Sequence, residues 1–235
     1  MPEPGDIPLP EEAVEEVENQ QNNSAEDPHR WSSRGYDAVE HTNNPGLQEF
    51  MKVEKEFILD EITNGKTKTF IDIGAGRGRM VDNLAKQAGR VINIERDDDM
   101  FSALSQKCAE FPNSIAVKAD ANRLEEALEG QAVENPVLFS FQNTLGTWYG
   151  DRDALLDSMR SLAESKKGEI IISLFCKEGL RDFGIGMYQS LFEQSNGELP
   201  TEPDEERTDF DGGIFRSTKE YGYESMVYKE TKGSY

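Results

Sequence analysis

The sequence predicts an α/β fold: a mostly parallel seven-stranded sheet with helices on both faces, closed by an antiparallel hairpin at one edge. Three observations predict it. From "TFIDIG" to "EIIISLF", strand-like and helix-like stretches alternate strictly, as they do in chains of successive β-α-β units. The strands of that span are apolar on both faces, which a sheet covered by helices on both sides requires. Finally, "GIFRST" and "YESMVYKE" near the C-terminus are β-patterned and are expected to pair antiparallel at the sheet edge.

The elements follow in order. Residues 1–30 hold nine acidic residues and one Arg, with much Pro, Asn and Gln. Such a composition buries too little apolar area to offset ordering entropy, so an acidic, disordered arm is expected there. The domain proper then runs over residues 31–235. "GLQEFMKVEKEFILDEI" sets Leu47, Phe50, Met51, Val53, Phe57, Ile58 and Ile62 at helical intervals, an apolar face that should pack on a sheet. After it come "TFIDIG" as strand, "GRMVDNLAKQA" as helix, "RVINIE" as strand and "DDMFSALSQKCAEF" as helix. "SIAVKAD" is the third strand, "ANRLEEALE" a helix, "PVLFSF" the fourth strand, "RDALLDSMRSLAES" a helix and "EIIISLF" the fifth strand. "EGLRDFGIGMYQSLFEQ" is expected to be partly helical, and an acidic stretch, "SNGELPTEPDEERTDFDGG", leads into the closing pair.

Bulk properties narrow the function. A chain of 235 residues suits one domain. Asp and Glu outnumber Lys and Arg by 46 to 25, a net charge of -21, so attraction to nucleic-acid backbones or anionic membranes is not expected. The N-terminus lacks the basic and apolar regions of a secretory signal, and no apolar run approaches the ~18 residues of a membrane span. Cys108 and Cys176 stand far apart, which fits a reducing compartment, so a cytoplasmic protein is expected. No cluster of His, Asp or Glu has metal-ligand spacing, and no metal is expected.

The stretch with chemical content is "FIDIGAGRGRM", Phe70–Met80. Gly74, Gly76 and Gly78 follow the first strand and open a helix, where backbone amides can face a ligand. A dinucleotide fingerprint needs glycine at position 79, which is Arg79, and a phosphate-binding P-loop needs a Lys that is missing. The pattern that fits in full is acid-x-G-x-G-x-G, led by Asp72. An acid there suits a cationic ligand better than a pyrophosphate. Glu95 ends the second strand, where a carboxylate can accept from both hydroxyls of a ribose, although nicotinamide enzymes share that feature. Asp120 follows the third strand, and as helix N-cap it has a second reading. Arg77 and Arg79 read as surface or helix-face residues.

With Asp72 and these three glycines the chain resembles the class I S-adenosylmethionine-dependent methyltransferases, whose fold is Rossmann-like. The resemblance covers about Phe50 to Phe175. It implies that the turn, with Gly74, Ala75, Gly76 and Gly78, holds the methionine part of S-adenosylmethionine and that Asp72 orients its ammonium. Glu95, with Arg96 beside it, would hold the ribose; Asp120 and the Ala121 amide would meet the adenine. "NTLG" after the fourth strand resembles a turn of members that act on small acceptors, and the Asn/Asp-Pro-Pro-aromatic motif of other members is missing. Gln142 is thereby expected on the cofactor, Asn143 at the reacting centre, and Trp148 against the substrate. In the plainer reading, Asn143, Thr144 and Gly146 only shape a turn and Asp151 caps the next helix. Residues 31–62 would supply a lid and a helix, with Tyr36 and Arg34 closing over an anionic acceptor and His41 as a possible base.

Methyl transfer from a sulfonium is an in-line displacement, so the protein mainly aligns the reactants and excludes water. The expected activity is methylation of N or O on a small-molecule acceptor. The alternatives are an RNA or protein methyltransferase and a module that binds S-adenosylmethionine without turnover.

Overall fold

A computed structural model describes residues 33–62, 65–142, 144–145, 148, 150–175, 214–218 and 225–231. The acidic arm, the helix expected from "EGLRDFGIGMYQSLFEQ" and the acidic stretch after it lie outside the described residues. Helices α1 (Ser33–Glu40) and α2 (Pro45–Ile62) lead into β1 (Thr69–Ile73). Then follow α3 (Val81–Ala85), β2 (Arg90–Glu95), α4 (Asp98–Cys108), β3 (Ser114–Lys118), a 3-10 turn over Ala121–Arg123 and α5 (Leu124–Ala127). The span closes with β4 (Val137–Ser140), α6 (Arg152–Lys166) and β5 (Glu169–Phe175).

These five strands form one parallel sheet in the order β3-β2-β1-β4-β5. Register is set across its centre by Ile71 opposite Ile92 on one side and Leu138 on the other. The order reverses between β1 and β4, and in such sheets a ligand sits in the crevice outside the strands' carboxyl ends at that switch.

Strand alternation divides the core in two. Ile71, Ile73, Ile92, Ile94, Leu138, Ile170 and Ile172 bury one face under Leu124, Leu155, Leu156 and Met159 of α5 and α6. Phe70, Val91, Val137, Phe139 and Ile171 bury the other under Ile58 and Ile62 of α2 and Leu84 of α3. Full burial of such side chains stabilises by roughly 1.5–3 kcal/mol each, which explains why the strands contain so few polar residues. Asp72 and Ser173 are exceptions and lie on the α2 face by the same alternation.

Two helices are shorter than their patterns predict. The stretch from Gly78 stays a turn until Val81, because Gly78 has φ +83 and a left-handed residue cannot continue a helix. After β3, Asp120 accepts from the Asn122 amide at 2.9 Å and winds Ala121–Arg123 into a 3-10 turn, leaving α5 only Leu124–Ala127. The segment upstream of α2, expected as a lid, is helical over Ser33–Glu40. Asp97 and Asp151 cap α4 and α6: Asp97 accepts from the Asp99 and Met100 amides, Asp151 from Ala154.

Candidate functional site

The turn after β1 is left-handed at each of its three glycines, with φ +73 at Gly74, +56 at Gly76 and +83 at Gly78. Only glycine adopts this without strain, and the turn is crowded as well. A Cβ at Gly74 would stand 2.6 Å from Thr144 Cγ2, and one at Gly76 would stand 2.9 Å from Tyr36 Cε1. The amides of Gly74 and Ala75 both donate to the Ile94 carbonyl, at 3.1 and 3.0 Å, so the turn is tied to β2.

The three predicted acids stand at the ends of three adjacent strands. Asp72 is buried. Burial, reinforced by the charges of Glu95 and Glu54 and opposed by the Arg79 guanidinium, pushes its pKa up to about 7. Glu95 is buried too and holds the turn: Oε2 accepts from the Gly76 amide and Oε1 from the Asp97 amide, each at 2.8 Å. Desolvation raises its pKa, while these backbone donors pull the other way. A carboxylate oxygen accepts more than one hydrogen bond, so both oxygens retain acceptor capacity. Asp120 spends Oδ1 on the Asn122 amide and on Asn122 Nδ2, at 2.9 Å each, which is the capping reading realised through one oxygen. Ala121 is buried beside it. Arg96 is exposed, and its carbonyl accepts from Lys118 Nζ.

Around these acids the other candidates scatter. Tyr36 of α1 lays its ring against Gly76 and hydrogen-bonds Thr144. Its phenol is raised well above its usual range, by burial first and then by the Glu95 carboxylate. Asp37, its neighbour, accepts from Arg77 at 2.7 Å, joining α1 to the turn. His41 is exposed, its Nδ1 3.0 Å from the Asp37 carbonyl oxygen, so its contact is with its own helix. Trp148 donates from Nε1 to Asn122 Oδ1 at 2.9 Å, which sets it beside Asp120, the adenine end of the expected cofactor. Gln142 has φ +58, and its Nε2 donates to Met51 Sδ at 3.3 Å; the side chain is taken up by α2. Asn143 and the Arg34 side chain lie outside the described residues, although Arg34 belongs to α1.

Sequence reasoning missed Glu54. It is 1% exposed on α2, its Oε2 accepts from Arg79 Nη2 at 2.6 Å and its Oε1 from the Gln142 amide at 2.5 Å, and the Ser173 hydroxyl also donates to it. The available signal was an acid on the apolar stripe, between Phe50 and Ile58. Arg79, read as a helix-face residue, is its partner. Asn122, linking Asp120 to Trp148, carried no signal beyond its place after a strand.

No family model matches the chain. Over 68 residues it is 37% identical to the ribosomal RNA small subunit methyltransferase A of Dehalococcoides mccartyi strain CBDB1, covering 28% of this chain and 23% of the relative. Over 57 residues it is 39% identical to the probable ribosomal RNA small subunit methyltransferase A of Thermococcus gammatolerans, covering 24% and 20%. The chain thus spans less than a quarter of the length of the curated relatives it matches. Among the solved structures that match over most of the chain are two methyltransferases. The magnesium protoporphyrin IX methyltransferase of Synechocystis, with bound SAH, superposes with a TM-score of 0.54 at 13% identity, covering 85% of this chain and 93% of that one. A SAM-dependent methyltransferase of Aquifex aeolicus does so at 0.50 and 16% identity, covering 85% and 99%. The chain has the Rossmann-like fold of the class I S-adenosylmethionine-dependent methyltransferases.

Proposed function

We propose that this chain is an S-adenosylmethionine-dependent methyltransferase that moves a methyl group to N or O of a small-molecule acceptor. The observation that carries the proposal is Asp72: a buried carboxylate at the root of a left-handed glycine turn, with Glu95 and Asp120 at the next two strand ends. Such a carboxylate fits a cationic group. S-adenosylmethionine, when bound, supplies a sulfonium methyl open to in-line attack.

The chain's own groups do the rest. Asp72 takes the ammonium, the remaining lone pairs of Glu95 take the ribose hydroxyls, and Asp120 Oδ2 takes the adenine amine, with the Ala121 amide and the Asn122–Trp148 pair framing that end. Tyr36 covers the glycine turn and keeps water from it. Asn143 and Arg34 belong to the acceptor side in this reading. A neutral amine attacks without help, and no base among the described residues is required.

The sheet is completed in this reading by an antiparallel edge hairpin, β6 (Ile214–Thr218) and β7 (Ser225–Thr231), supported by a register that sets Ile172 opposite Tyr228. The cytoplasm is the proposed location. No described helix is long and apolar enough to cross a membrane.

A second reading, methylation of RNA, is favoured by the 37% identity to a ribosomal RNA methyltransferase over 68 residues. The net charge of -21 weighs against it. Calorimetric titration with S-adenosylmethionine, S-adenosylhomocysteine and NAD tests the cofactor: the first two are expected to bind, and tight NAD binding would overturn the assignment. Labelled methyl groups followed into RNA, protein and metabolite fractions then decide the acceptor. Label in metabolites alone is expected; label in RNA would establish the second reading.

A further inference from the structure

We propose that Glu54 is a positioning residue that couples the cofactor-side turn to the acceptor-side turn, one carboxylate oxygen serving each. The coupling rests on the methyltransferase reading for its meaning and on contacts of its own for its geometry. Glu54 interrupts the buried stripe of α2, where Leu47, Phe50, Ile58 and Ile62 are all apolar and buried. A carboxylate at such a place carries a desolvation cost that an apolar side chain would not, so packing does not account for it. Its bonds do.

On the cofactor side, Oε2 accepts from Arg79, the residue directly after Gly78, and the same guanidinium acts on Asp72. On the acceptor side, Oε1 accepts from the Gln142 amide and from the Ser173 hydroxyl of β5. Gln142 follows the end of β4 and is held at φ +58, a conformation unfavourable for a residue with a Cβ that must be imposed by its surroundings. Ser173 also accepts from the Gln142 amide at 3.1 Å. Two polar groups thus pin one strained peptide, and one of them is shared with the glycine turn. The carboxylate is rigid and planar, so a shift of Arg79 when the turn fills is carried to the Gln142 peptide. The Gln142 peptide, already pinned in the free protein, is then held more tightly when the cofactor is in place.

Amide hydrogen exchange in the full chain, read by NMR with and without S-adenosylhomocysteine, tests this. In the wild type the ligand is expected to slow exchange at Gln142 by about tenfold or more. Glu54→Gln keeps an oxygen for Gln142 and Ser173 but loses the charge that faces Arg79. It is expected to retain slow Gln142 exchange in the free protein and to lose the further slowing by ligand, with Ile71 in mid-β1 unchanged. Glu54→Ala is expected to exchange fast at Gln142 with or without ligand; should it fail to fold, the two effects in Glu54→Gln decide. Equal ligand protection of Gln142 in wild type and Glu54→Gln would overturn the coupling. So would ligand binding to the wild type with no slowing at Gln142, and that result would leave the methyltransferase reading standing. No binding of S-adenosylhomocysteine to the wild type would overturn both.

Discussion

Asp72 ionises near its ordinary 3.8 in the unfolded chain and at about 7 in the folded one. Between those values the unfolded chain has released a proton that the folded chain still holds. The contribution of Asp72 to the stability of the free protein therefore falls as pH rises from about 4 to about 7 and is level above that. Asp72→Asn removes that contribution. Urea unfolding should find the variant more stable than the wild type, by up to roughly 4 kcal/mol at pH 8 and by less at pH 5; no gain at pH 8 would refute the assignment. A ligand ammonium favours the ionised carboxyl. S-adenosylmethionine should therefore bind more tightly as pH rises from 5.5 to 7.5, with a proton released that calorimetry in two buffers of different ionisation heat would count. A pH-independent affinity would separate Asp72 from the ammonium. Asp72, Glu95 and Asp120 were legible in the sequence because each is an acid at a strand end, and strand ends can be read from apolar runs. Glu54 was not legible, because its bond to Gln142 crosses 88 positions of chain and only folding brings the two together.

At the scale of elements, the strands were legible where burial on both faces forced a continuous apolar run, as in Ile170, Ile171 and Ile172 of β5. The short helices were not, because backbone conformation at Gly78 and an Asp120 side-chain bond ended or delayed them. Helix α1 carries the next prediction. Two contacts fasten it to the glycine turn: the Asp37–Arg77 pair, with side chains 53% and 31% exposed, and the Tyr36 ring on Gly76. An exposed ion pair contributes about 0–1 kcal/mol, whereas the tyrosine ring covers the backbone that meets the cofactor in the proposed function. Asp37→Ala should therefore change S-adenosylmethionine affinity by less than about fivefold and Tyr36→Ala by more than about tenfold, with Tyr36→Phe close to wild type because it keeps the wall. Calorimetric titration of the three variants checks the order, and a larger loss in Asp37→Ala would show that the pair, not the ring, holds the helix. Within the turn itself, Gly76→Ala places a Cβ 2.9 Å from Tyr36 Cε1 at a φ of +56. Loss of cofactor binding is the expected result, and unchanged affinity would remove the turn from the site.

Taken as a whole, the molecule carries a net charge of -21, and that excess acts on both folding and partners. Self-repulsion destabilises the compact state at low salt, and added salt screens it, since the Debye length falls from about 30 Å at 0.01 M to about 8 Å at 0.15 M. The melting temperature should therefore rise with sodium chloride over that range. Potassium chloride should act alike, because screening depends on ionic strength rather than on the ion. The same field repels phosphate backbones. Binding to RNA that relied on counterion release would need a cluster of Lys and Arg, whereas four exposed cations, Lys52, Lys118, Arg123 and Arg160, have acidic neighbours within ion-pair distance. Filter binding of the purified chain to ribosomal RNA should accordingly show no affinity that weakens steeply with salt. A steep salt slope would mean that positive charge is gathered somewhere on the surface despite the total, and it would move the acceptor from metabolites to RNA.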